Sequence, residues 1–203
     1  MATATSDSPF EGSVRRKSAA VRVIAGAARG RRLKGGSERG LRATSDLVRG
    51  AMFDIVQSMG ADLTRVLDLY AGTGALGVEA LSRGAGWCDF IEKEPRFCRL
   101  IHENLEASGF AEKAAVFCLP AEKVLTKLSS EYSLILADPP YQDEKADSVL
   151  ESIAASPLVG QRTVIVLEHS KRKTPPAALG SLTLATSRRH GDTVISIYRS
   201  GGS

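Results

Sequence analysis

Cysteine is scarce in this 203-residue chain: there are three, Cys88, Cys98 and Cys118, and no two form a Cys-x-x-Cys pair. An odd number without metal-ligand spacing argues against a disulfide framework and against structural zinc. It fits free thiols in a reducing compartment. The three histidines, His102, His169 and His190, share no ligand spacing either, so no metal site is expected. Long apolar runs are also missing: no stretch of 18 such residues occurs, which excludes a membrane-spanning helix. Residues 1–10 lack a positive segment leading into an apolar one, so no signal peptide is expected, and the cytoplasm is the expected compartment. What is present is 43% hydrophobic and 25% charged residues. That composition excludes wholesale disorder and predicts one compact domain, or one with a small appendage.

Charge is unevenly placed. Residues 1–50 hold 11 basic and 4 acidic side chains, a net +7, whereas the whole chain carries +4, so the rest carries −3. A basic N-terminal quarter on a mildly acidic body points to a polyanionic partner or to a solvated basic arm. Residues 1–19 are small, polar and aperiodic, and read as a mobile tail. The short β-type run 21–25, punctuated by Gly26 and Gly30 and followed by Arg31-Arg32-Leu33-Lys34, reads as a basic hairpin. Thr44 or Ser45 is a candidate N-cap for a helix over 46–58. Residues 20–60 are therefore expected to form a basic extension, and 61–203 the main domain.

From residue 66 the chain alternates. Strands are expected at 66–70, 87–92, 115–118, 132–138 and 163–168, with helices near 75–83, 95–108, 121–128 and 146–155 between them. Two β-rich runs, 181–187 and 193–198, close the sequence without an intervening helix. The strands are nearly continuous in Val, Ile and Leu, as strands covered on both faces must be. This predicts a doubly wound α/β sheet, mostly parallel, with one antiparallel strand at the end.

Gly72-Thr73-Gly74-Ala75-Leu76-Gly77 directly follows the first strand and opens a helix. Glycine permits a tight turn and close approach of a ligand to the free N–H groups of the helix start. Glu92 ends the second strand about 20 residues on, where a carboxylate can bind ribose hydroxyls. GxGxxG as text is weak; strand, turn, helix and strand-ending acid together point to an adenosine-containing cofactor. NAD is one such ligand. Asp68, four residues before Gly72, would sit badly beside a pyrophosphate but well beside a cationic amino-acid tail. That favours S-adenosylmethionine, which carries a sulfonium and an ammonium. A helix cap or turn hydrogen bond is the competing role for Asp68.

Asp138-Pro139-Pro140-Tyr141 ends the fourth apolar strand. The two prolines stiffen the backbone and delete two N–H donors, leaving carbonyls that only accept. Asp138 is acceptor-only when ionised, and Tyr141 offers a ring to stack on. The set suits a planar group bearing an amine. Hydrogen bonds to Asp138 and the Pro139 carbonyl would aim the amine lone pair at a methyl donor and stabilise charge developing on nitrogen. A plain strand terminator is the alternative.

With 67–77, Glu79-Ala-Leu-Ser-Arg-Gly-Ala85 and Arg42-Ala-Thr-Ser-Asp-Leu-Val-Arg49, this element makes residues 21–199 resemble the RsmD family. These are S-adenosylmethionine-dependent methyltransferases acting on the N2 amine of a guanine in small-subunit ribosomal RNA. The resemblance implies a seven-stranded, Rossmann-like class I methyltransferase sheet with a final antiparallel strand. It implies that Asp68, Tyr70, Ala71, Gly72 and Gly74 line the cofactor and that Glu92 holds its ribose. Thr44, Ser45 and Asp46 would border the methionine end. Asp138, Pro139, Pro140 and Tyr141 would hold the target base. Arg22, Arg29, Arg31, Arg32, Lys34 and Arg49 would lie on RNA. The chain departs from the family pattern at Ala43, usually Pro, at Gly50, usually Glu, and at Pro120, usually polar or acidic. The adenine contact therefore falls on Ala121 or Glu122.

The remaining polar residues carry blander expectations. The histidines read as surface or supporting residues, and the cysteines as small core residues. Arg188, Arg189 and His190, and the loop Lys171-Arg172-Lys173, read as solvated turns with RNA contact as the alternative. The expected partner is ribosomal RNA or a small-subunit particle, and the expected state is a monomer. The competing functions are an amino-methyltransferase of DNA adenine or protein glutamine, and a non-catalytic RNA-binding assembly factor.

Overall fold

The first strand, β1 (Arg65–Leu69), is buried along almost its whole length because sheet neighbours and layers on both faces enclose it. The computed structural model describes residues 21–35, 45–140 and 143–200. After β1 come α2 (Ala75–Ser82), β2 (Trp87–Glu92), α3 (Pro95–Ser108), β3 (Ala114–Cys118), β4 (Tyr132–Ala137), α4 (Ala146–Ala154) and β5 (Val159–Ser170). The chain ends with β6 (Ala178–Leu179), β7 (Leu182–His190) and β8 (Thr193–Ser200), and α1 (Asp46–Ser58) precedes β1. The sheet order is β3-β2-β1-β4-β5-β8-β7-β6. β1 to β5 pair in parallel, and β8 runs antiparallel between β5 and β7. The mostly parallel α/β class expected from the alternation is the class observed. The eighth strand, β6, is a two-residue edge piece whose single pair of partners on β7 gives no sequence signal.

Alternation of side chains along each strand feeds two cores. Val66, Phe90, Leu136 and Val166 join α1, α2 and α3 on one face. Leu67, Ile91, Ile135 and Leu167 join α4 and the 121–126 turn on the other. Both sets must be apolar, which is why the strands read as continuous hydrophobic runs. Ser45 caps α1 by accepting from Val48 N–H at 3.2 Å. α3 starts at Pro95 and ends at Gly109 in the left-handed region (φ 77°), the usual proline-first, glycine-last asymmetry. The helix expected over 121–128 is instead a 3-10 run, Ala121–Thr126.

The N-terminal ribbon is a hairpin: Val23 N–H donates to Arg31 O at 2.9 Å and Leu33 N–H to Val21 O at 2.8 Å. It is fixed to α2. Glu79 accepts from Ile24 N–H at 2.7 Å and Ala25 N–H at 3.1 Å. Ser82 O accepts from Ala27 N–H at 2.8 Å, and Ser82 Oγ from Ala28 N–H at 3.0 Å. Val21, Val23 and Leu33 enter the same core as α1.

Two expectations, on Arg49 and Cys118, need correction, and the open one on His169 resolves to the supporting reading. Arg49 is fully buried, with its guanidinium donating to Arg22 O at 2.5 Å and to Asp46 Oδ1 at 2.9 Å, so it faces the hairpin backbone and not a polyanion. His169 is 2% exposed and bonds Ser196 Oγ at 2.8 Å, because it falls on an interior position of β5. Cys118 is exposed, since β3 is the sheet edge, while Cys88 and Cys98 are buried.

Candidate cofactor and transfer site

The strand order reverses at β1: the chain moves outward to β2 and β3, then returns to place β4 on the other side. The crevice this creates lies beyond the C-terminal ends of β2, β1 and β4. Three sequence features meet there. Glu92 closes β2, the glycine turn follows β1, and Asp138 follows β4. Leu69 at the end of β1 pairs with Ile91 of β2, and Ala71 N–H donates to Ile91 O at 2.9 Å, tying the turn to β2.

The turn is made of backbone that L side chains rarely adopt. Tyr70 (φ 70°), Gly72 (φ 55°) and Gly74 (φ 78°) are all left-handed, and Tyr70 is the single non-glycine so placed among the described residues. A non-glycine held there is strained and is stabilised only by its surroundings. Gly72 N–H donates to Glu92 Oε2 at 2.8 Å, and Glu94 N–H to Glu92 Oε1 at 2.8 Å. Glu92 therefore binds the turn and also presents acceptor lone pairs at the crevice. Asn104 on α3 braces the turn from behind by donating to Thr73 O at 2.9 Å. Gly77 lets α2 lie close on β2, where a Cβ would come within 2.2 Å of the Phe90 ring.

Asp68 is fully buried, and its Oδ2 accepts from Gly77 N–H at 2.8 Å in the first turn of α2. That is the helix-start bond weighed as its competing role. Oδ1, however, is buried with no partner. Burial first, then the charges of Asp138 and Glu92, push the Asp68 carboxyl up to about 7 against the pull of the Gly77 N–H. Tyr70 OH is also buried without a partner, and burial with nearby Asp143, Glu122 and Asp147 raises its pKa above the usual range. Two orphaned polar atoms beside one glycine turn are what a bound polar ligand would satisfy. A cationic ammonium fits Asp68 Oδ1, and a donor-rich or hydroxylated group fits the rest.

Asp138 is half-buried, Pro139 buried and Pro140 exposed, with Pro140 O accepting from Asp143 N–H at 2.9 Å. Ala121 is buried at the start of the 3-10 turn after β3, next along the same edge. Ser45 and Asp46 take other work: Ser45 caps α1, while Asp46 pairs with Arg49 at 2.9 Å and Arg22 at 3.8 Å. Thr44 and Tyr141 lie outside the described residues. The hairpin cations Arg22, Arg29, Arg31, Arg32 and Lys34 are exposed, and residues 27–32 with Ala107 line an open depression of about 660 Å³. Sequence reasoning missed Asn104 and Glu79. Each is a polar residue at a buried position of an otherwise apolar helix face, which was the available signal.

The family described as conserved hypothetical protein 95 matches residues 21–199. The chain is 32% identical to the putative rRNA methyltransferase YlbH of Bacillus subtilis (strain 168), over 90% of this chain and 100% of that protein. It is 28% identical to ribosomal RNA small subunit methyltransferase D of Escherichia coli (strain K12), over 88% of this chain and 89% of that one. Among solved structures, a putative methyltransferase yhhF from Escherichia coli superposes with a TM-score of 0.78 at 27% identity, covering 91% of this chain and 100% of that chain. With so complete a match, the chain belongs to this family, the RsmD family, and its sheet is a Rossmann-like class I methyltransferase fold.

Proposed function

We propose that the chain transfers a methyl group from S-adenosylmethionine to the exocyclic N2 amine of a guanine in small-subunit ribosomal RNA. The observation that carries this is the adjacency of β1 and β4: the glycine turn with the orphaned Asp68 Oδ1 lies beside Asp138-Pro139-Pro140. The names of the relatives support ribosomal RNA as the substrate class.

S-adenosylmethionine, when bound, supplies an electrophilic methyl on a sulfonium. Asp68 Oδ1 is placed to take the ammonium of the amino-acid tail, and Glu92 to take ribose hydroxyls. The Gly72 turn gives close backbone approach, and Ala121 closes the adenine side. Asp138 and the Pro139 carbonyl accept the two N–H groups of the target amine, which turns its lone pair toward the methyl. With the methyl donor bound, Asp138 would stabilise the positive charge that develops on the amine nitrogen and would take the proton this nitrogen loses, or pass it to water. The target base must leave its stack, a cost of about a few kcal/mol. The hairpin cations Arg22, Arg29, Arg31, Arg32 and Lys34 offset it by binding phosphates without reading sequence.

The test is transfer of labelled methyl to small-subunit RNA and particles, followed by nucleoside analysis. The expected product is N2-methylguanosine, and Asp138→Ala should lower the rate by at least about 100-fold, as expected when a positioned acceptor is removed. Equal incorporation by both proteins, or N6-methyladenosine as product, would overturn the proposal.

A further inference from the structure

We propose that Glu168 recognises the target base as guanine, accepting its N1–H while Asp138 and Pro139 hold its N2 amine. This rests on the function proposed above. Ala137 of β4 is paired with Leu167 of β5, so the next residues along the two strands are Asp138 and Glu168. Their side chains share a face. Leu134 and Leu136 on β4, and Val164 and Val166 on β5, pack into the core under α1, α2 and α3, and each acid is the next residue in that alternation. Ile195, the β8 partner of Glu168, lies in the same core. The next residue on β5, His169, turns to the opposite face, where it bonds Ser196 Oγ.

Along β2, β1, β4 and β5 one carboxylate per strand thus falls on the same face near the C-terminal ends: Glu92, Asp68, Asp138 and Glu168. The first three have work on the cofactor and the amine. Glu168 stands beyond Asp138 on the side away from the cofactor, where the rest of the base edge must go. It is 3% exposed, and a buried carboxylate at the end of a Val/Ile/Leu strand is costly unless it has a polar task. Asp138 and Glu168 both have polar interactions within the protein, and a carboxylate has about four lone-pair sites, so each can accept a base N–H besides.

Guanine presents two donors side by side, the N2 amine and N1–H. Adenine presents an amine beside N1, an acceptor, and cytosine an amine beside N3, also an acceptor. Two adjacent carboxylates match guanine and oppose the other two. A site built to hydrogen-bond a donor rejects the analogue that lacks it far more strongly than an apolar pocket can.

The experiment compares guanine with 2-aminopurine at the modified position of small-subunit RNA, using wild type and Glu168→Gln. 2-Aminopurine keeps the N2 amine but has an acceptor at N1. Wild type should use it at least about tenfold less efficiently in kcat/KM than guanine. Glu168→Gln can donate an amide N–H to N1, so it should lose guanine activity by a similar factor while improving on 2-aminopurine relative to wild type. Its melting temperature and S-adenosylhomocysteine affinity should stay close to wild type. Equal use of the two bases by wild type overturns the assignment, and this arm stands even if the variant does not fold. A variant that loses both substrates in proportion also overturns it, because that is the signature of a structural role. Absence of N2-methylguanosine from wild type on guanine RNA would instead overturn the proposed function together with this inference.

Discussion

Asp68 joins three features in one carboxylate: it holds the start of α2 through Gly77 N–H, its Oδ1 is buried without a partner beside the glycine turn, and it is pushed up to about 7 by burial and by the charges of Asp138 and Glu92. The sign of the pH effect follows. Near pH 4 and below, both folded and unfolded chains hold this proton; between about 4 and 7 only the folded chain does. Its contribution to stability is therefore full in acid and is lost as pH rises through 7. A cationic ammonium on Oδ1 reverses the preference, because it favours the charged carboxylate. Cofactor binding should then release a proton below pH 7. Calorimetry of S-adenosylhomocysteine between pH 5 and 8 should show affinity rising toward pH 7, by up to about tenfold per pH unit, and levelling above. Asp68→Asn should bind weakly with a flat profile. A flat wild-type profile would remove Asp68 from the cofactor site. The charge and position of this residue were legible in the sequence. Its double engagement was not, since Gly77 is nine residues away and meets it only through the β1–α2 turn.

At the scale of elements, α2 couples two functions: its N-terminus is the glycine turn, and its body carries the hairpin on Glu79 and Ser82. Gly26 makes that docking possible. Its φ is 81°, and a Cβ there would fall 1.8 Å from Ser82 O. Gly30 has nearly the same φ, 82°, but faces open space. Gly30→Ala should thus cost about 1–2 kcal/mol, the left-handed strain alone. Gly26→Ala should cost at least about 3 kcal/mol, because the hairpin must also leave α2 and its hydrogen bonds. Urea unfolding of the two variants measures the difference; equal losses would mean that the hairpin is not held this way. The strand–helix alternation was readable because burial on both faces forces continuous Val, Ile and Leu. Arg49 was misread for the opposite reason. An arginine in the first turn of α1 looks solvent-facing, and it is buried because Arg22 O, 27 residues earlier, and Glu79 of α2 close around it. The apolar spacing of 121–128 likewise suited an α-helix, and nothing local marked the 3-10 form of Ala121–Thr126.

Over the whole molecule, the +7 of residues 1–50 divides once the fold is known. Arg49 is consumed inside, paired with Asp46 and near Glu79 at 3.9 Å, whereas Arg22, Arg29, Arg31, Arg32 and Lys34 remain on the surface of a hairpin clamped to the cofactor-turn helix. The clamp matters as much as the charge, because under the proposed function phosphates bound there would be held in a fixed relation to the crevice. Binding of this kind releases counterions, so the logarithm of affinity should fall linearly with the logarithm of salt, by about 0.7–0.9 per phosphate contacted. Replacing Arg29, Arg31 and Arg32 together by serine should make that slope shallower by about 2–3 and raise KM for RNA at least about tenfold at roughly 0.15 M salt. The affinity for S-adenosylhomocysteine should not change. Arg49→Ala should do the reverse: it should lower the melting temperature, because the Arg22 carbonyl loses its donor and the buried Glu79, 3.9 Å away, loses a counter-charge, and leave the salt slope as it was. A triple variant with the wild-type slope would mean that RNA is held on another face, and the depression lined by residues 27–32 would lose its assigned role.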